Sequence, residues 1–374
     1  VTVSVLYWQA VLGMASSDSD DHGGPSQYHE GELAIQRAAN ASAAASELEG
    51  MIEHRLSGAA NFRFLARLSM CVFGWFTNDV SAPVRIELLF GVPSFIDPSP
   101  DGNFICWNPA KMVSSSAAFA KSLAKGHIGA PVGCLFVDLQ QRRRQRVNGA
   151  VERIPGAPEG LLFARVRESF PNCPKYMHGY RVTVDSAPAP MESSRRSPPR
   201  SCGHRSERVS SSRSTSEASA SASQRDDDGD DEGDGADATP GLCDAAFDVL
   251  ENADTMFVAT RHPDRGVDAS HKAGPPGFVE VINGATVRFP DYTGNNMFCT
   301  LGNLHVDPAI AMAVVDWNER LIATITGTAK MRVHQSDGGK SGGTMRWVDV
   351  SVRTSHVKPI PKGVEVDFTK GNEL

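Results

Sequence analysis

The chain has no Cys-x-x-Cys pair, no excess of basic charge and no apolar run long enough to cross a membrane. Each absence removes a class of function. Its seven cysteines, Cys71, Cys106, Cys134, Cys173, Cys202, Cys243 and Cys299, are an odd number spread over 374 residues. That distribution fits reduced thiols in a cytoplasmic protein better than a disulfide framework. Lys and Arg number 37 against 44 Asp and Glu, a net charge of −7. Nucleic-acid binders normally carry a basic field, so no nucleic-acid partner is expected. The longest apolar runs are strand-sized, far short of the roughly 18–20 residues of a membrane span, so no membrane partner is expected either. Val1 to Gly13 is apolar but lacks the basic residues that open a secretory signal, and this stretch, upstream of Met14, is set aside. No second histidine follows His29 and Glu30 at the zincin spacing, and no metal site is expected.

What remains is length for about two domains. Between residues 186 and 240 the composition changes: serine, arginine and acidic residues dominate, Met191 and Val209 are the large apolar residues, and no aromatic occurs. Such a segment cannot offset the entropy of ordering itself and is expected to be a disordered linker. Residues 1–26 are expected to be a disordered tail, leaving blocks 27–185 and 241–374.

The two blocks resemble each other. Gly91, Pro93 and Phe95 recur as Gly274, Pro276 and Phe278, at an offset of 183 (274 − 91). Asp138 recurs as Asp316, and in each block a glycine follows that aspartate by eleven residues, Gly149 and Gly327. Two matched stretches in the same order read as an internal duplication. Each unit is mostly short β-branched runs bounded by turn residues, as in 256–260, 279–282, 285–289, 311–315 and 321–326. Asn283 and Gly284 form a hairpin signal. One helix is expected over 295–304, capped by Thr293 or Asn295. Another opens at His29 to Glu32. The fold class is all-β with minor helices, as small six-stranded barrels.

Residues 268–278, 289–298 and 301–303 resemble the pyridoxamine 5′-phosphate oxidase-like FMN-binding split-barrel family. The first block is similar to the leading half of its tandem, two-barrel members, through His29 to Glu32, Arg144 to Gly149 and Glu168 to Tyr176. The resemblance implies two six-stranded Greek-key split barrels fused as an intramolecular pseudo-dimer, with FMN held near their interface. It further implies a flavin-dependent oxidoreductase acting on a small-molecule substrate, with NAD(P)H as a candidate donor. The other class left open is a non-catalytic flavin or haem binder. The Arg- and Trp-rich C-terminal segment by which the family's oxidases hold their substrate has no counterpart here. The resemblance therefore carries the flavin site and not the oxidation of pyridoxamine phosphate.

In an extended strand Asp268, Ser270 and Lys272 share one face and His271 the other. Serine and lysine two apart suit a phosphate, and Arg288 on the next strand could add a guanidinium fork. Tyr292, Thr293, Gly294, Asn295 and Asn296 precede the expected helix, and Gly294 would allow positive φ or close backbone approach. With the resemblance, Ser270, His271, Lys272, Arg288 and Tyr292 to Asn296 are the FMN-binding candidates. No catalytic residue can be named. At an offset of 183 the first block places Glu87 and Leu89 against Ser270 and Lys272, so its site is read as degenerate. A pseudo-dimeric monomer or a homodimer is expected. Arg142 to Arg146 reads as a polar hairpin leading into a strand, and Cys173 as structural.

Overall fold

The computed structural model describes residues 26–77, 82–185, 239–333 and 346–369. The expectations for residues 1–25 and 186–238 lie outside the described residues. Helices α1 (Glu30–Ala38), α2 (Ser42–Glu49) and α3 (Ala59–Arg67) come first. Then follow β1 (Met70–Trp75), β2 (Arg85–Phe90), β3 (Ile96–Pro98), β4 (Phe104–Trp107), α4 (Ser114–Gly126), β5 (Pro131–Asp138), β6 (Arg143–Glu152), β7 (Leu162–Asn172) and β8 (Tyr180–Val184). The second half holds β9 (Thr239–Pro240), α5 (Asp244–Asn252), β10 (Thr255–His262), β11 (Gly266–Ala273), β12 (Glu280–Asn283) and β13 (Thr286–Pro290). It closes with α6 (Cys299–Val306), β14 (Ala309–Asp316), β15 (Leu321–Val333), β16 (Arg346–Pro359) and β17 (Val364–Phe368). The protein is all-β with minor helices, built as two split barrels.

The sheets run β2-β1-β5-β6-β7-β4-β3 and β11-β10-β14-β15-β16-β13-β12, the same order strand for strand. Each path has seven strands where six were expected, because the short β3 and β12 add an edge to β4 and β13. β9 pairs with β16, so residues 239–240 belong to the second sheet and not to a linker.

Strand register explains the spacing of the repeated residues. β6 slips against β7 between Asn148 and Gly149, and β15 slips against β16 between Thr326 and Gly327. At these bulges a Cβ on Gly149 would lie 1.9 Å from the Arg165 carbonyl oxygen, and one on Gly327 would lie 2.2 Å from that of Ser351. Only glycine fits so close an approach. Gly91 and Gly274 each lie against the phenylalanine four residues on, with a would-be Cβ 2.6 Å from Phe95 or Phe278.

Strands at the centre of each sheet are buried on both faces, as expected of a sheet covered on both sides. In β10, Met256 and Val258 enter their own barrel while Phe257 and Ala259 enter a core shared with the other barrel. In β5, Cys134 and Phe136 point inward and Leu135 and Val137 join that shared core. The seam is tight at glycine: a Cβ on Gly133 would meet the Val267 carbonyl oxygen at 2.3 Å. β8 and β17, one from each half, pair antiparallel beside it. α1 packs on α6 through Gly31 and Gly302, where a Cβ on Gly31 would sit 2.2 Å from the Gly302 oxygen.

α6 starts four residues later than expected. Asn296 and Phe298 adopt φ of 64° and 61°, and the Asn295 side chain accepts from Met297 N–H (3.2 Å) rather than capping the helix. Its N-cap is Phe298, with no side-chain cap. Among the described residues no helix is long and apolar enough to cross a membrane.

Candidate functional site

β11 is an edge strand, paired to β10 on one side and packed against β5 and β6 of the first barrel. An open cleft with a cavity volume of about 130 Å³ lies along it. Of the residues singled out in the sequence, Ser270, His271, Lys272, Tyr292, Gly294, Asn295 and Asn296 line this cleft. Arg288 does not. It makes a two-pronged ion pair with Asp349 (2.6 and 3.1 Å), which also holds Arg332. Thr293 is not among the lining residues either; its carbonyl oxygen accepts from the Tyr176 hydroxyl at 3.2 Å. Gly294 has no positive φ, and a Cβ there would meet nothing nearer than 4.0 Å. The left-handed positions are Asn296 and Phe298 instead.

The first barrel forms the opposite wall. Arg144, Arg146, Asn172, Cys173, Lys175 and Tyr176 all line the cleft. Arg146 donates to Asp268 (3.2 Å) and to the Ser270 hydroxyl (2.5 Å), and Thr300 also donates to Ser270 (3.0 Å). With both lone pairs of Ser270 engaged, its own O–H is left to donate. Lys272 lies 3.2 Å from Asp291, which holds Arg346 on its other oxygen at 3.0 Å. Arg144 donates to His271 Nδ1 (3.1 Å) and to the Lys175 carbonyl oxygen (3.4 Å). Five cations (Arg144, Arg146, Lys175 and Lys272 on the lining, and Arg346 behind Asp291) against two carboxylates (Asp291 on the lining, and Asp268 behind Arg146) leave three positive charges in excess (5 − 2).

Burial sets the proton states. It pushes Arg144 down to about 10, with Arg146 adding to the shift. Burial first, and then Arg144, hold His271 well below the ordinary histidine value, so the ring is neutral. A guanidinium can only donate, so His271 Nδ1 is the acceptor and the ring proton sits on Nε2. That Nε2, Arg144 Nε and Arg146 Nε are buried with no hydrogen-bond partner among the described residues. At the mouth Tyr176 and Tyr292 stack with centroids 5.2 Å apart. Tyr176 has φ of 60°, a third non-glycine residue here in the left-handed region. Such outliers gather at functional sites.

Arg144 and Arg146 were missed because their run of arginines reads as a polar hairpin. Only the tip at 139–142 is a turn; β6 begins at Arg143 and is almost entirely buried. The signal was in the repeat. At the offset of 178 shared by Asp138 and Asp316 (316 − 138), Arg144 and Arg146 correspond to Ile322 and Thr324, so these two positions are cationic in one copy only.

Behind the cleft, His29, Glu30 and His262 bring one ligand atom each within 4.8 Å of one another. Their hydrogen bonds do not suit a metal. His29 Nδ1 accepts from Gly31 N–H (3.2 Å), and His262 Nδ1 accepts from Asp264 and Arg265 N–H (3.1 and 3.2 Å). With Nδ1 accepting in both rings, the ring proton is on Nε2, whereas a ligating imidazole needs a lone pair there. Glu32 lies beside them, accepting from the His29 N–H at 3.1 Å in a capping box. Burial first, and Asp268 next, push its carboxyl from 4.5 up to about 8. The folded chain thus holds a proton that the unfolded chain has released above pH 4.5. The associated stability is complete below that value and is lost as pH rises through about 8. Glu32→Gln keeps the capping acceptor and cannot ionise. Urea unfolding should show variant and parent alike at low pH, with the variant more stable by about 2–5 kcal/mol above pH 8. Parallel pH profiles would show that Glu32 ionises normally.

Residues 242–370 match the family model described as pyridoxamine 5′-phosphate oxidase. That span contains β11 and the 291–298 loop. Among solved structures, HupZ of Group A Streptococcus is similar at 17% identity over 33% of this chain and 97% of that chain, with a TM-score of 0.26. A putative pyridoxamine 5′-phosphate oxidase of Lactobacillus delbrueckii is 12% identical over 32% and 98%, with a TM-score of 0.26. HutZ, the heme storage protein of Vibrio cholerae, is 15% identical over 32% and 94%, with a TM-score of 0.23. None of the curated proteins matches the chain.

Proposed function

We propose that this chain, whose residues 242–370 are those of a pyridoxamine 5′-phosphate oxidase domain, binds one FMN in the cleft between its barrels. In this reading it acts as a cytoplasmic flavin-dependent oxidoreductase on a small molecule, with NAD(P)H as the candidate donor. The carrying observation is the set of buried N–H donors (Arg144 Nε, Arg146 Nε and His271 Nε2), unpartnered among the described residues, in a cleft with three excess positive charges. Such a lining costs free energy until an anion with acceptor oxygens enters. Bound FMN supplies the redox chemistry, and the protein binds, orients and shields it. Ser270 and the basic groups hold the anionic end. Tyr176 and Tyr292, stacked at the mouth, offer planar surface to a planar ring. The barrels act as the two halves of a pseudo-dimer, each supplying one wall.

A haem-binding role is less well supported, because iron ligation by His271 Nε2 would need the lone pair that the Arg144 contact replaces with a proton. The purified full chain should be yellow, with flavin absorbance that bleaches under NADPH or NADH and returns in air. A Soret band in place of flavin absorbance would favour the haem reading. Flavin that neither donor bleaches would make the protein a carrier or sensor.

A further inference from the structure

We infer that the phosphate-monoester end of the cleft's ligand is received by Arg144 of the first barrel together with His271 of the second, and not by Lys272. The inference rests on the reading that the cleft takes a phosphorylated ligand.

Lys175, at the edge of the cleft, is exposed and solvated, and the three other cations besides Arg144 are already matched. Lys272 and Arg346 share the two oxygens of buried Asp291. Arg146 has a counter-ion in Asp268 and a second acceptor in Ser270, although its Nε is unpartnered among the described residues. Arg144 is nearly as buried as these carboxylates, yet its partners, His271 Nδ1 and the Lys175 carbonyl, carry no charge. A buried guanidinium without a counter-ion is unfavourable, and guanidinium does not shed its proton at neutral pH. Its contact with His271 also places a proton on His271 Nε2. Arg144 Nε–H and His271 Nε2–H are thus two buried donors with nothing to donate to among the described residues, joined through one hydrogen bond and lining one cleft. A phosphate monoester supplies several acceptor oxygens and a charge near −2, which suits a guanidinium fork better than a single point charge.

The asymmetry between the barrels follows from the same residues. The repeat position of Arg144 in the second barrel is Ile322, and Glu87, at the repeat position of Ser270, is ion-paired with Lys358. The related surface on the first barrel therefore has neither the free cation nor the hydroxyl.

Calorimetric titration of the full chain with FMN, riboflavin and inorganic phosphate tests this, with Arg144→Gln, Arg144→Lys and Lys272→Ala compared with the parent. Arg144→Gln should weaken FMN by roughly 10–100-fold and leave riboflavin within about twofold. Arg144→Lys should recover part of the loss and guards against a variant that fails to fold. Lys272→Ala should lose less than Arg144→Gln. The inference is overturned if Lys272→Ala loses more, or if Arg144→Gln weakens FMN and riboflavin equally. It is also overturned if the parent itself does not favour FMN over riboflavin. Should the parent bind neither flavin, the flavin reading fails and the phosphate arm decides. Phosphate held by the parent and lost in Arg144→Gln, as from a phosphorylated substrate, sustains the inference; phosphate held equally, or not at all, ends it.

Discussion

Gly133→Val should separate the two barrels. A Cβ at this position would lie 2.3 Å from the Val267 oxygen, 2.7 Å from its carbonyl carbon and 3.0 Å from Asp268 Cα. All three are backbone atoms of β11, so no side chain can swing aside. Overpacking a core usually costs about 1–3 kcal/mol. Here the strand that must move also carries Ser270, His271 and Lys272, so we expect the upper end or beyond, about 3 kcal/mol or more. At about 2.1 cal/mol/K of unfolding entropy per residue, that corresponds to a fall in Tm of roughly 5 °C for a protein of this size. Any ligand of the cleft should be lost with it. Gly126→Ala is the control. It ends α4, and a Cβ there meets nothing within 4 Å. Its Tm should be unchanged or slightly raised. Similar melting of the two variants would show that the barrels are not held at this seam.

Leu89→Ala and Lys272→Ala should lose stability unequally from equivalent places. Leu89 pairs with Cys71 and Lys272 with Met256, and Cys71 and Met256 in turn pair with Phe136 and Val314. The two substituted residues therefore occupy the same point in the two sheets, 183 apart (272 − 89). Leu89 is fully buried in its barrel, so its truncation should cost about 2–5 kcal/mol. The Lys272 side chain is 21% exposed and ends on a carboxylate that keeps Arg346. Its truncation should cost about 1 kcal/mol or less. Chemical denaturation of both checks this. Equal losses would mean that the two positions are not packed as described.

Much of the fold was legible because steric needs leave marks in one sequence. Gly149 and Gly327 sit at bulges that exclude a side chain, and Gly91 and Gly274 lie against a phenylalanine, so these residues recur at fixed spacing. The β11 side of the cleft was legible for a related reason, since its residues are contiguous from Ser270 to Lys272. The other wall was not. Arg144 and Arg146 are buried by a strand more than a hundred residues away, and nothing local distinguishes them from a solvated arginine run. Arg288 failed in the opposite sense. Its partner Asp349 is 61 residues on, and this pairing, absent from any local pattern, takes it out of the cleft. The start of α6 was misplaced because Asn296 and Phe298 adopt left-handed φ, which neither residue type signals by itself. The short edge strands β3 and β12 fall below the length at which periodicity can be read.

The most direct test is the number of flavins the full chain binds. Fluorescence quenching of FMN, titrated with protein of known concentration, should break at one flavin per chain. The first barrel has Leu89, Glu87 and its Lys358 partner where the second has Lys272 and Ser270. Two flavins per chain would contradict the asymmetry between the barrels, and none would contradict the assignment of the cleft.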